Sequence, residues 1–245
     1  MATILVLAKS GFGKTTSYCG REKYGIKGLN PKETFVIQCV NRSLPNMEYK
    51  LCKSPEIKDL GTGNRIQVNT ITGIDRFKRV AEIINALKDP KCPFKNIIID
   101  DANYLMQDFY MANAMRGGWD TPKQIGYGMG LVFDAFSGFP ETKNLIMCAH
   151  FTEYKDKVGD SISYKFKTTG SMTDDYITPE GKFDIILFGK QDFNAEEKKA
   201  VKVFIKEYDG TYPAKDSLGA LDELPDVFPN DLGLVVDALK KRYNQ

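Results

Sequence analysis

Five short apolar runs punctuate the chain, at residues 3–7, Phe35-Val36-Ile37-Gln38-Cys39-Val40, Asn96-Ile97-Ile98-Ile99, Leu145-Ile146-Met147-Cys148-Ala149 and Ile185-Ile186-Leu187-Phe188. Each is nearly continuous and most are rich in β-branched residues, the pattern of a strand buried on both faces. Between them apolar residues recur at helical spacing. Ile74, Phe77, Val80, Ile83, Ile84 and Leu87 make one stripe, and Ile125, Met129, Val132, Phe133 and Phe136 make another. Buried strands alternating with such helices predict an α/β fold, a mainly parallel sheet with helices on both faces. Further on, 200–208, the Asp209-Gly210 turn signal and 211–214 predict a hairpin. Pro229-Asn230-Asp231 then caps a closing helix whose stripe is Leu232, Val235, Val236 and Leu239. No repeat or long linker interrupts the pattern, so residues 1–245 read as a single domain.

Three segments fall outside this pattern. Residues 41–70, with several Pro, Gly and Asn, predict an excursion carrying a small hairpin. Residues 115–124 predict a loop joining two helices. Residues 151–182 are polar, contain Gly and carry several Lys. Long irregular loops inside a compact domain are more often functional than accidental.

Candidate chemistry begins directly after the first run. Ala8-Lys9-Ser10-Gly11-Phe12-Gly13-Lys14-Thr15 is a P-loop pattern with Ala in place of the first Gly. Small residues let backbone N–H groups close around phosphate oxygens, and a Lys reaches the β/γ-phosphates. A Ser or Thr hydroxyl meets Mg²⁺, and the following helix contributes the positive end of its dipole. Gly11, Gly13, Lys14 and Thr15 supply these parts at the required offsets, between an expected strand and an expected helix. The segment from Ala8 to Thr16 is therefore the expected ATP-phosphate site, with Thr15 on Mg²⁺.

The third run ends in Asp100-Asp101. An apolar strand that delivers a carboxylate at its carboxyl end matches the pattern of a Walker B strand, though two acids there can also simply begin a loop or cap a helix. Asp100 is expected to join Thr15 in the Mg²⁺ shell, and Asp101 to orient or deprotonate the attacking water. Asp101 is shorter than the Glu many related ATPases use, which predicts slow hydrolysis. His150, the one histidine, follows the fourth run. A polar residue at a strand's carboxyl end faces the ligand crevice of an α/β sheet, so His150 is the expected γ-phosphate sensor. Lys14, Asp101 and His150 form the candidate catalytic set.

Composition narrows the class. The 42% apolar and 27% charged content is that of a globular chain, and a net charge of +2 gives no global field for nucleic acid. The five cysteines show no CxxC spacing; Cys39 and Cys148 lie in apolar runs and read as buried thiols. No apolar run reaches the roughly 20 residues that span a bilayer, and the chain enters its first strand at once, so a cytoplasmic protein without a membrane partner is expected.

Ala8–Thr15, Asp100-Asp101, His150, Phe35-Val36-Ile37, residues 168–175 and the tail elements 214–219 and 229–232 together resemble the RecA-like P-loop ATPases of tailed bacteriophages. These are AAA-domain ATP-binding proteins, some grouped with Sak-type single-strand annealing and recombination proteins. The resemblance implies a RecA-type core in which the 145–149 strand lies between the P-loop strand and the Walker B strand. It also implies self-association as a ring or filament with ATP between protomers. The chain departs from the pattern twice. RecA-like recombinases carry a Glu after the second strand, where this sequence has Asn41-Arg42 and only a distant Glu48. The phage group has Lys where Ser171 stands, leaving Lys206 and Lys215 as substitute cations. The resemblance further places single-stranded DNA at residues 115–124 and 151–170. The first segment offers Arg116, Trp119 and Lys123; the second offers Tyr154, Lys155, Lys157, Tyr164, Lys165 and Lys167. Cations interleaved with aromatics suit single strands, through phosphate charge and base stacking, although Asp120, Glu153, Asp156 and Asp160 dilute the charge. Residues 216–237 carry six acids and no Lys or Arg, a face expected to repel nucleic acid and to meet a basic surface of a neighbouring protomer. Two other readings remain: an ATP-binding scaffold module with protein partners, and a P-loop kinase. The second is disfavoured because 151–182 contains no Arg for a phosphate-gripping lid.

Overall fold

A computed structural model of the protein describes residues 2–115, 120–155, 162–169, 177–194 and 199–243. The five apolar runs become strands β1 (Ala2–Ala8), β2 (Thr34–Gln38), β4 (Asn96–Asp100), β5 (Asn144–Ala149) and β8 (Ile185–Asn194). They join β3 (Arg65–Gln67), β9 (Lys199–Ile205), β10 (Lys215–Asp216) and β11 (Val227–Pro229) in one sheet. Its order is β11-β9-β8-β1-β5-β4-β2-β3, with β10 on β8. The β8-to-β3 portion is parallel, while β9, β10 and β11 pair antiparallel. β5 lies between β1 and β4, as the resemblance implies.

Because side chains alternate along a strand, each run serves two cores at once. In β1, Leu5 and Leu7 face one core and Ile4, Val6 and Ala8 the other. The first core takes helices α2 (Ile74–Leu87), α3 (Asn103–Ala112) and α4 (Asp120–Asp134); the second takes α1 (Lys14–Cys19) and α5 (Leu232–Arg242). Truncating a fully buried residue such as Leu5 to Ala costs about 2–5 kcal/mol. The two stripes read from the sequence fall on α2 and α4, with Phe136 just beyond α4. Gly128 brings α4 close to α2, because a Cβ there would sit 2.6 Å from the Phe77 ring. α5 is capped as expected by Asp231, whose carboxylate accepts from Gly233 N and also from Lys27 N and Gly28 N at 2.7–2.9 Å.

Several expectations change. Residues 41–70 hold no hairpin; they carry a 3₁₀ turn (Ile57–Thr62) and then β3, which adds to β2 in parallel. β9 does form a hairpin, but with the preceding β8; residues 211–214 form no strand, and β10 pairs with β8. Residues 120–124 begin α4 instead of extending a loop. The 151–182 segment opens with an antiparallel hairpin, β6 (Phe151–Lys155) against β7 (Ile162–Phe166). Several acids of 216–237 have partners within their own chain, and the side chains of Glu223 and Asp237 stay exposed on its surface. Asp216 accepts from Leu218 N and Leu221 N, Asp231 caps α5, Asp237 pairs with Lys27 and Glu223 with Lys241. Lys206 is likewise buried, its Nζ on Leu221 O at 3.0 Å, so it does not reach a neighbour. Among the described residues no helix is long and apolar enough to cross a membrane.

Candidate functional site

The loop from Ala8 to Lys14 crosses the carboxyl end of β1, between β5 and β8. Gly13 holds φ +108°, a value that residues with a Cβ rarely adopt, and a Cβ there would meet Asn230 Nδ2 at 3.1 Å. The loop is held from outside by two side chains that sequence reading missed: Asn230 Nδ2 donates to Gly13 O at 3.1 Å and Lys202 Nζ to Gly11 O at 2.7 Å. Phe12 turns its ring into the core beside Phe204. Lys9, Ser10 and Gly11 are exposed, and Thr15 and Thr16 half-buried at the start of α1.

Lys14 is 6% exposed, and its Nζ donates to Ala8 O at 3.3 Å and Lys9 O at 3.4 Å. The same nitrogen lies 3.2 Å from His150 Nδ1 and 3.7 Å from Asp101 Oδ1. Burial lowers its pKa, with Asp101 pulling the other way. His150 sits at the end of β5. Its Nδ1 is 3.2 Å from Ala8 O and its Nε2 3.5 Å from Asp101 Oδ1. Burial and then Lys14 lower its pKa, favouring the neutral ring. Asp101, at the end of β4, has φ +58°, the one left-handed non-glycine among the described residues. Backbone held in this sparsely populated region clusters at functional sites.

The two adjacent carboxylates live in different surroundings. Asp100 Oδ2 accepts from the Thr15 hydroxyl at 3.3 Å and from the Tyr18 hydroxyl at 2.9 Å. Its Oδ1 is buried without a partner. Burial, then the charge of Asp101, pushes its pKa up to about 6. An orphaned carboxylate oxygen beside a Thr hydroxyl offers the hard oxygen donors that Mg²⁺ prefers, so these residues fit the ion. Asp101 instead faces Lys14, His150 and the Arg42 guanidinium, 3.0 Å away.

The structure thus brings Lys14, Thr15, Asp100, Asp101 and His150 to one corner, together with Tyr18, Arg42 and Asn103. Asn103 Oδ1 accepts from His150 N at 2.5 Å, while its Nδ2 donates to Lys167 O, and Lys167 N donates to His150 O at 2.9 Å. A polar residue in the first turn after Asp101 was the available signal for Asn103; nothing in the sequence marked Tyr18.

The DNA candidates are distributed differently. Lys123 is exposed in the first turn of α4, Lys155 and Lys165 are exposed on the hairpin, and Lys167 is exposed just after it. Lys165 Nζ lies 5.3 Å from the Tyr154 ring centroid. Arg116, Trp119, Lys157 and Ser171 lie outside the described residues. The hairpin and the P-loop share a wall: Lys9–Phe12 and Phe151, Tyr164, Phe188, Lys202 and Tyr212 border a cavity of about 410 Å³.

A comparison with solved structures finds a KaiC-like protein from the hyperthermophilic archaeon Pyrococcus horikoshii OT3, 12% identical with a TM-score of 0.42, over 86% of this chain and 81% of that one. Neither a protein-family model nor a curated protein matches the chain.

Proposed function

We propose that this chain binds Mg·ATP at its P-loop and hydrolyses it. The observation that carries this reading is the convergence, at the carboxyl ends of β1 and β4, of Lys14, the Thr15–Asp100 pair with its orphaned oxygen, and Asp101. Backbone N–H groups of residues 9–16 are suited to bind the phosphates, and Lys14 leaves Ala8 O and Lys9 O for the β/γ oxygens. Thr15 and Asp100 would hold Mg²⁺, which when bound supplies charge neutralisation at the phosphate oxygens. A water oxygen attacks the γ-phosphorus, the bond to the β–γ bridging oxygen breaks, and its electron pair departs with ADP. Asp101 orients that water and accepts its proton. His150, neutral and joined to Lys14, Asp101 and the base of the hairpin, reports whether the γ-phosphate is present.

A DNA-handling role is the finer part of the proposal. The cations and tyrosine of the β6–β7 hairpin suit single-stranded DNA, and the hairpin is wired to His150 through Asn103 and Lys167. Recombination or replication is the process that the sequence resemblance implies. Self-association as a ring or filament also belongs to this reading, and sedimentation with and without ATP tests it. ATP turnover with and without single-stranded DNA separates the DNA reading from a scaffold role. A rate unchanged by DNA, in a protein that stays monomeric with ATP, favours the scaffold.

A further inference from the structure

Arg42 follows β2 at the position where the carboxyl end of the sheet faces the P-loop. Its carbonyl accepts from Gln38 Nε2 at 3.3 Å and from Arg65 NH1 at 3.2 Å, which pins the backbone. The side chain remains 48% exposed, and its NH1 lies 3.0 Å from Asp101 Oδ2. On the other oxygen of Asp101, Lys14 Nζ stands at 3.7 Å and His150 Nε2 at 3.5 Å. Three nitrogen-bearing side chains from three separate segments therefore converge on one carboxylate that is itself 5% exposed. Asp100 balances part of the Lys14 charge, but the N–H donors gathered around Asp101 outnumber the lone pairs its two oxygens can offer them. A corner with that surplus of donors is matched to a second anion.

We propose that Arg42 is a phosphate-contacting residue of this site, donating to the oxygens of the terminal phosphate of ATP. The inference rests on the ATP reading of the P-loop and deepens it. Without such a cation, the Asp101 carboxylate would repel an incoming phosphate that carries up to two charges of the same sign. A guanidinium has five N–H donors in a planar fork, so it can keep one oxygen of Asp101 while turning other N–H groups to phosphate. Its pinned backbone and half-exposed side chain suit that motion. During hydrolysis Arg42 gains and loses no proton; it offsets negative charge on the γ oxygens while Asp101 takes the proton of the attacking water. The competing role is purely positional, with Arg42 holding Asp101 in place and never touching nucleotide.

Equilibrium competition against a fluorescent nucleotide, with Mg²⁺ present, distinguishes these roles. The competitors are ADP and the β,γ-imido analogue of ATP. Arg42→Ala is expected to weaken the analogue about 10- to 100-fold while moving ADP less than about 2-fold, the range for hydrogen bonds to charged groups. Arg42→Lys should restore part of the preference, since it keeps the charge but loses the fork. An analogue-to-ADP ratio unchanged in Arg42→Ala overturns the proposal, even if turnover falls, because that is the signature of the positional role. If the parent protein binds neither nucleotide, or Lys14→Ala binds both as the parent does, the P-loop reading itself fails and the inference falls with it.

Discussion

The corner where β4 and β5 end and the β6–β7 hairpin that leaves β5 are neighbours in the chain, yet they are built in opposite ways. In the corner, Lys14, Asp100 and Asp101 are buried and each is held by polar neighbours: Lys14 by Ala8 O and Lys9 O, Asp100 by two hydroxyls, Asp101 by three nitrogens. On and just after the hairpin, Lys155, Lys165 and Lys167 are exposed to water. Buried polar networks act at low dielectric, so a single deletion is felt strongly. Exposed charges are screened by salt and act a little at a time. The contrast is the reason we propose bond-breaking chemistry for the corner and adjustable, salt-sensitive recognition for the hairpin. Asn103 is the joint between them.

The largest expected effect lies in the corner. Asp101→Asn should lower ATP turnover by about 10²–10⁴-fold, the range for a lost general base, while Mg·ATP affinity measured at equilibrium changes little. A turnover rate like the parent's would remove Asp101 from the chemistry.

At the joint, Asn103→Ala deletes the acceptor for His150 N and the donor for Lys167 O, both in a residue with no exposed surface. Leaving such groups unpaired costs about 1–3 kcal/mol, visible as a lower midpoint in thermal melting. The change should also blunt any stimulation of turnover by single-stranded DNA. Stimulation that survives intact would mean the two regions are not coupled through this residue.

Asp100 sharpens the comparison by pH. Its native pKa is about 6, against about 3.9 for an unfolded Asp. Between those values the native state keeps a proton that the unfolded state has lost, so stability of the nucleotide-free protein falls as pH rises from about 4 through 6. Above that window the cost of the buried charge is fully present. Asp100→Asn should flatten this part of the profile in denaturant titrations and raise stability at neutral pH. A profile identical in the two proteins would contradict the burial argument.

The smallest effects belong to the hairpin. Lys155→Ala or Lys165→Ala should each weaken single-stranded DNA binding only a few-fold at low salt. Each should reduce the slope of log affinity against log salt by about 0.7. Quenching of Trp119, the one tryptophan, offers a direct readout. Salt-insensitive binding, or none at low ionic strength, would take the hairpin out of DNA recognition.

The sequence made some of this legible for physical reasons. Runs such as 96–99 and 145–149 are buried on both faces, so hydrophobicity alone marks them, and the P-loop and Asp100-Asp101 follow such runs directly. β3 escaped notice because Arg65-Ile66-Gln67 is short and half polar at the sheet edge. β6 and β7 did too, since Phe-Thr-Glu-Tyr-Lys and Ile-Ser-Tyr-Lys-Phe carry most of their polar residues outward and read as loop. Arg76 lies on the buried face of α2 and hides an ion pair to Asp108 at 2.7 Å, which no helical stripe signals. Tyr18, Asn103, Lys202 and Asn230 gain their roles only from contacts across the chain, with partners up to 217 residues apart. No local pattern encodes such contacts. The partners of Glu223, Asp231 and Asp237 are hidden for the same reason, since a charge run does not disclose which backbone amides and lysines of its own chain it meets.

The central claim is that Lys14 and its loop hold the phosphates of Mg·ATP, and calorimetric titration of Mg·ATP into the parent protein and Lys14→Ala tests it most directly. The account predicts Mg²⁺-dependent binding at one site per chain in the parent. It predicts a loss of about 10- to 100-fold in the variant, as for a deleted charge-assisted contact, with its thermal melt still cooperative. A cooperatively folded Lys14→Ala protein that binds Mg·ATP as tightly as the parent would contradict it.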